Sequence, residues 1–200
     1  MLYSLIVLAA CAVSSLASAV EPSAADKEIA REAYGEAMTR EEAKDYKSAL
    51  DRYQKAHAIM NVPPTGLAVA RMQERLGRLV EARDSAIAVG LLPVGPNESD
   101  AFKDARKEAV ATAERLKSTI PTLRALVQGL PADLRPELLV DGQPVASATI
   151  GDYRPINPGA HIVIARAKGY KEARVDVSLA EKERKDVTLI LVVDPSAAQK

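Results

Sequence analysis

The chain has almost no cysteine, no tryptophan and no excess of one charge, and each lack removes a class of function. Its single cysteine, Cys11, lies in the leading apolar stretch, so the body of the protein has no thiol for a disulfide or a cysteine-ligated metal. Aromatic residues make up 4% of the chain, with one Phe, leaving six tyrosines as almost the only rings able to stack on a base or a sugar. Twenty-seven basic residues balance 27 acidic ones, which gives no single-signed field to steer nucleic acid or anionic lipid, so no nucleic-acid partner is expected. A glycine-rich phosphate loop, Gly-x-Ser-x-Gly and His-Glu-x-x-His are all absent. His57 and His161 have no Cys or second His nearby to complete a metal triad, and are expected at the surface. Carboxylates such as Glu41-Glu42 and Glu181 to Glu183 sit in charge-mixed segments that read as solvated faces or turns. The sequence therefore predicts no catalytic residue, no cofactor and no metal.

Long apolar runs are lacking too, except at the front. Leu2 to Val13 is followed by small residues and Ala17-Ser18-Ala19, the pattern of a cleavable export signal over residues 1–19. The run is short of the roughly 20 residues a membrane span needs, and no later segment competes, so no span is expected. No Lys or Arg precedes it. Three outcomes stay open: cleavage after Ala19, with residues 20–27 as a linker; acylation at Cys11, because Leu8-Ala9-Ala10-Cys11 resembles a bacterial lipobox; or an apolar helix left uncleaved. The first two, the favoured ones, place the mature protein outside the cytoplasm, in the periplasm or at the cell surface, in the second case with a lipid anchor.

From residue 28 to 119 the chain is rich in Ala, Glu, Lys, Arg and Leu at helical spacing. Ile29, Ala30, Ala33, Tyr34, Ala37 and Met38 share one face; Tyr46, Ala49, Leu50, Tyr53, Ala56 and Ile59 share another after a break near Lys44-Asp45. Asn61-Val62-Pro63-Pro64 ends that second helix. Thr65 to Arg75, a turn at Leu76-Gly77-Arg78 and Leu79 to Val89 then repeat the grammar, with Lys44 and Gly77 at equivalent turns 33 residues apart. Asp45 to Ala56 (DYKSALDRYQKA) and Leu76-Gly77-Arg78 with Ala82 resemble the tetratricopeptide repeat over roughly residues 30 to 95. Lys44 stands where that family usually has glycine, and Ala86 where it has a large aromatic. A further helix, capped by Asn97 or Ser99 and carrying Phe102, Ala105, Ala109, Thr112 and Leu116 on one stripe, closes the unit before Pro121. The resemblance implies a peptide groove lined by the first helix of each pair, which would present Tyr34, Met38, Arg71 and Arg75. Read without it, Tyr34 and Met38 are core and the arginines a solvated face.

Beyond Pro121 the period changes from 3.6 to 2. Strands are expected at Thr122 to Gln128, Glu137 to Val140, His161 to Ala167, Ala173 to Leu179 and Val187 to Val193, with a turn at Asp141-Gly142. The fold class is therefore an α+β multidomain chain: an antiparallel helical repeat, then a small antiparallel β-sandwich over residues 121–194, with 195–200 as a tail. Leu139-Val140-Asp141-Gly142, Asn157-Pro158-Gly159-Ala160-His161 and Gly169-Tyr170 occur in an order that resembles the PEGA domain, a small sandwich of bacterial envelope proteins. The combination is similar to envelope proteins of myxobacteria-like organisms. In the PEGA family the Pro-Gly motif is structural, so the resemblance implies no active site. The expectation is a non-enzymatic exported adaptor with a protein partner. The alternative is a carbohydrate- or envelope-polymer-binding module using Tyr153 and Tyr170.

Overall fold

Local hydrogen bonds fix where the helices begin. In the computed structural model, which describes residues 21–196, helix α1 (Ala24–Glu42) starts at Ser23. The Ser23 hydroxyl accepts from Asp26 N and the Asp26 carboxylate accepts from Ser23 N, a complete capping box. That box draws residues 24–27 into the helix, so the stretch expected as a linker is partly helical. The leader, including Ala19 and Cys11, and residues 197–200 of the tail lie outside the described residues. Lys44 takes φ +60° to turn the chain, and the Asp45 carboxylate accepts from Ser48 N to start α2 (Tyr46–Met60). Asn61 ends α2 in the left-handed conformation. Pro63 then opens α3 (Pro63–Arg75) at the position where its missing N–H costs nothing, two residues ahead of the expected Thr65. Gly77, at φ +73°, turns the chain into α4 (Leu79–Leu91), and Ser99 caps α5 (Asp100–Thr119).

Successive helices pack on one another, and α3 also packs on α5. Their interfaces are built on alanine: Ala37, Ala49 and Ala68 surround Leu50, Tyr53, Val69 and Met72, while Ala70, Ala86, Ala105, Ala109 and Ala113 surround Leu67 and Val89. Small side chains let helix axes approach closely. At Gly66 the approach is extreme, since a Cβ there would stand 2.5 Å from Val89 Cγ2.

The second half contains β1 (Thr122–Gln128), β2 (Glu137–Val140), β3 (Gln143–Val145), β4 (Arg154–Pro155), β5 (Gly159–Arg166), β6 (Tyr170–Lys171), β7 (Ala173–Leu179), β8 (Arg184–Ile190) and β9 (Val192–Val193). They form a sheet in the order β4-β1-β8, a second in the order β3-β2-β5-β7 and a two-stranded ribbon, β6-β9. Every pairing is antiparallel except β1 with β8, which run parallel from Thr122↔Arg184 to Gln128↔Ile190. Leu123, Leu138, Val163, Val177, Leu179 and Leu189 fill the space between the sheets. Asp141 and Gly142 both have positive φ, as a two-residue hairpin turn between β2 and β3 requires. The last expected strand is split: buried Leu191 donates its N–H to Gln128 O and separates β8 from β9.

No linker separates the halves. Helix α5 ends at Thr119, and β1 starts at Thr122 across Ile120 and the fully buried Pro121. Lys182 N donates to Thr119 O at 2.7 Å, Thr122 N to Glu183 O at 2.8 Å and Ile156 N to Pro121 O at 3.1 Å. The chain is thus an α+β protein with helices first and strands second, joined at a hydrogen-bonded corner.

Candidate functional site

Helices α3 and α5 lie side by side and carry charged residues at one-turn and two-turn spacing: Arg71, Glu74 and Arg75 on α3, Glu108 and Arg115 on α5. These side chains pair across the two helices. Arg71 grips Glu108 with Nε at 3.0 Å and Nη2 at 2.6 Å, and Arg115 grips Glu74 with its two Nη atoms at 2.7 and 2.8 Å. They line a cleft of about 570 Å³ together with Glu41, Arg75, Leu79, Thr119 and, from the β7–β8 turn, Glu181. Arg75 has no ion-pair partner among the described residues and remains exposed. Three arginines against Glu41, Glu74, Glu108 and Glu181 give the cleft mixed charge rather than a field of one sign. Hydrogen bonding to Glu74 raises the Arg115 guanidinium still further above its ordinary range, so it is a permanent cation.

At the α1 end, the Tyr53 hydroxyl donates to Glu41 at 2.7 Å. Burial, then that hydrogen bond and the Glu41 charge push the Tyr53 phenol far above its ordinary value of 10.0. Tyr34 stacks edge-on against Tyr53, with centroids 5.0 Å apart, and is half-buried against the Ala37–Met72 cluster. Burial pushes its phenol upward while the nearby Arg71 opposes the shift.

The four residues expected on a partner surface therefore divide. Arg71 and Arg75 line the cleft; Tyr34 packs mainly as core; Met38 is 48% exposed on α1, outside the cleft lining. Sequence reasoning did not single out Glu74, Glu108 or Arg115, and it read Glu41 and Glu181, which also line the cleft, as parts of solvated faces or turns. The helical spacing of the first three was a usable signal, but the pairing of α3 with α5 was not.

The histidines, expected at the surface, are partly buried. His57 is half-buried, with Nδ1 2.8 Å from Thr65 Oγ1, and burial pushes its imidazole below the ordinary 6.5. The side chain of His161 is only 9% exposed. Both lie where neighbouring elements close over them, which one-dimensional spacing does not report. Among the described residues no group of three or more His, Cys, Asp or Glu side chains could hold a metal ion.

Tyr153 is half-buried, with the Arg184 guanidinium 3.7 Å and that of Arg124 4.6 Å from its ring centroid. Arg124 in turn pairs with Asp186. Tyr170 packs against the sandwich core. Both tyrosine rings are partly covered rather than fully exposed. Among the described residues no helix is long and apolar enough to cross a membrane. No protein-family model matches the chain, and none of the curated proteins matches it either.

Proposed function

We propose that this protein is an exported, non-enzymatic adaptor that binds a segment of a protein partner carrying both charge signs in the cleft between α3, α5 and the β7–β8 turn. The observation that supports this reading is the set of cross-helix Arg–Glu pairs beside the unpaired Arg75. Exposed ion pairs of this kind contribute about 0–1 kcal/mol each to folding, so their main physical effect is to hold charged groups in fixed directions. Fixed charges of both signs favour a partner whose charges match in register, and act on specificity and association rate more than on bulk affinity. Export rests on the leader, whose short apolar run ends in Ala17-Ser18-Ala19.

The test is a cross-linked capture from the envelope fraction of the native host, with the wild-type chain beside a variant carrying Arg71→Glu and Arg75→Glu. Proteins captured by the wild type are expected to be lost with the variant and to elute at high salt, as exposed charge pairing does. Equal capture by both chains would remove the cleft as the binding surface. N-terminal sequencing of the same material would show whether the mature chain begins after Ala19 or at an acylated Cys11.

A further inference from the structure

Helix α4 lacks a cap of its own. Its N-cap residue, Arg78, offers no side-chain acceptor to the first turn, where unpaired N–H groups must find one. The acceptor comes from the other half of the molecule: Val80 N donates to Asn157 Oδ1 at 2.8 Å, and Asn157 Nδ2 donates to Glu81 Oε2 at 2.8 Å. Asn157 thus performs for α4 what a capping box does locally, from a position 77 residues later in the chain.

The main chain of Asn157 is held in turn by His161. Ring atom Nε2 lies 2.7 Å from Asn157 O, and Nδ1 lies 2.6 Å from Asp141 Oδ2; the other Asp141 oxygen accepts from Ile162 N at 2.9 Å. Both neighbours of the ring are acceptors. A neutral imidazole carries one N–H and one lone pair, so it can satisfy only one of them and sets a lone pair against the other; the imidazolium donates to both. The ring is 9% exposed and the Asp141 carboxylate 47%, but at 2.6 Å no water fits between them, so a neutral ring with its lone pair on that side would face the carboxylate directly.

We propose that the contact between the two halves is a proton-dependent latch, in which protonated His161 bridges Asp141 and the Asn157 carbonyl and so holds the Asn157 side chain on the N-terminus of α4. Loss of the ring proton leaves one acceptor without a donor, frees the segment before β5 and uncaps α4. The charged groups around the ring are Asp141 from the β2–β3 turn, Glu81 from α4 through Asn157, and Arg174 with Asp176 on β7, which hydrogen-bond to each other. Burial raises Asp141, but the His161 ring and the Ile162 amide outweigh it and hold the carboxyl below its ordinary 3.8, so it faces the ring as an acceptor. Proton uptake by the ring therefore closes the latch and proton loss opens it. This stands whether or not the cleft binds a partner.

The test uses the full chain, labelled with ¹⁵N. Amide exchange at Val80, corrected for its intrinsic pH dependence, is expected to be about tenfold more protected near about pH 5.5 than near about pH 8.5, the scale of one lost charge-assisted hydrogen bond. His161→Gln is expected to make the Val80 protection independent of pH. Asn157→Ala is expected to abolish it at every pH while the His161 ring resonances still report both nitrogens protonated at the acidic end. Equal Val80 protection across that range in the wild type would overturn the latch. So would ring nitrogen resonances of a single neutral tautomer under conditions where Val80 is protected, a readout that needs no variant to fold.

Discussion

Arg106 on α5 shows how much one side chain can carry in a helical unit with so small a core. Its guanidinium donates to the carbonyls of Val89, Gly90 and Leu92 at 3.0, 3.3 and 2.8 Å, the C-terminal end of α4, where carbonyls have no partner within the helix. It also pairs with Glu98 at 2.7 Å, the two side chains being 15% and 9% exposed. Removing one partner of so buried a pair leaves a charge without compensation. Arg106→Ala is expected to destabilise the fold by about 3 kcal/mol, and Arg106→Met with Glu98→Met to cost clearly less, because the second change removes the orphaned carboxylate. Urea unfolding of the two variants against the wild type checks this, and a double variant no better than the single would refute it. Residues of this sort were not legible beforehand: Arg106 sits in a charged run like any solvated arginine, and Asn157 read as a turn residue whose side chain had no assigned task. Their partners are distant in sequence, and spacing reports only local neighbours.

Elements fared differently. Strong local chemistry made the starts of α4 and α5 and the stop near Asn61-Val62-Pro63-Pro64 visible, while the starts of α1 and α3 lay earlier than expected, and alternation located β1, β2 and β7 to the residue. Strands β3, β4, β6 and β9 have two or three residues each, too few for any period, and they form only because longer neighbours supply the ladder. The parallel pairing of β1 with β8 was illegible because the two strands lie at opposite ends of the domain's sequence. The seam between α2, α3 and α4 shows what element packing adds. Gly66 leaves room for the His57 ring, whose Nδ1–H donates to Thr65 Oγ1 while the Thr65 hydroxyl donates to Val62 O. Burial favours the neutral ring, so the folded state takes up its proton at lower pH than the unfolded chain does. The contribution of His57 is complete above its ordinary 6.5 and is lost as the pH falls through the depressed folded value. Urea midpoints of wild type and His57→Gln are expected to diverge less on acidification below that point. A difference that stays constant with pH would show that the ring titrates alike in both states. This trend runs opposite to the His161 latch, so global stability mixes the two and only a local probe such as Val80 separates them.

On the scale of the whole molecule, the division at Pro121 was visible as a change of period, but the docking of the halves was not, because it depends on contacts from α4 and α5 to loops far along the chain. Two separate contacts define it. The corner at Thr119–Thr122 holds the end of α5, and Asn157 holds the start of α4. Between them lies a small cluster of Leu79, Ala82, Leu116 and Ile120, so the ends of two adjacent helices are finished by the β domain. Helices packed in series gain stability from each neighbouring interface, and helix ends without an intrahelical partner need a capping element. Here the β domain contributes a cap to α4, worth about 1 kcal/mol, and hydrogen bonds to Thr119 and Pro121 at the end of α5. A chain ending at residue 120 is therefore expected to unfold with about 1 kcal/mol less stability than the same helices in the full chain, with exchange at Val80 and at the last turn of α5 rising first. Equal stability in the fragment would mean that the β domain rests against the helices without completing them, and that the two contacts fix orientation alone.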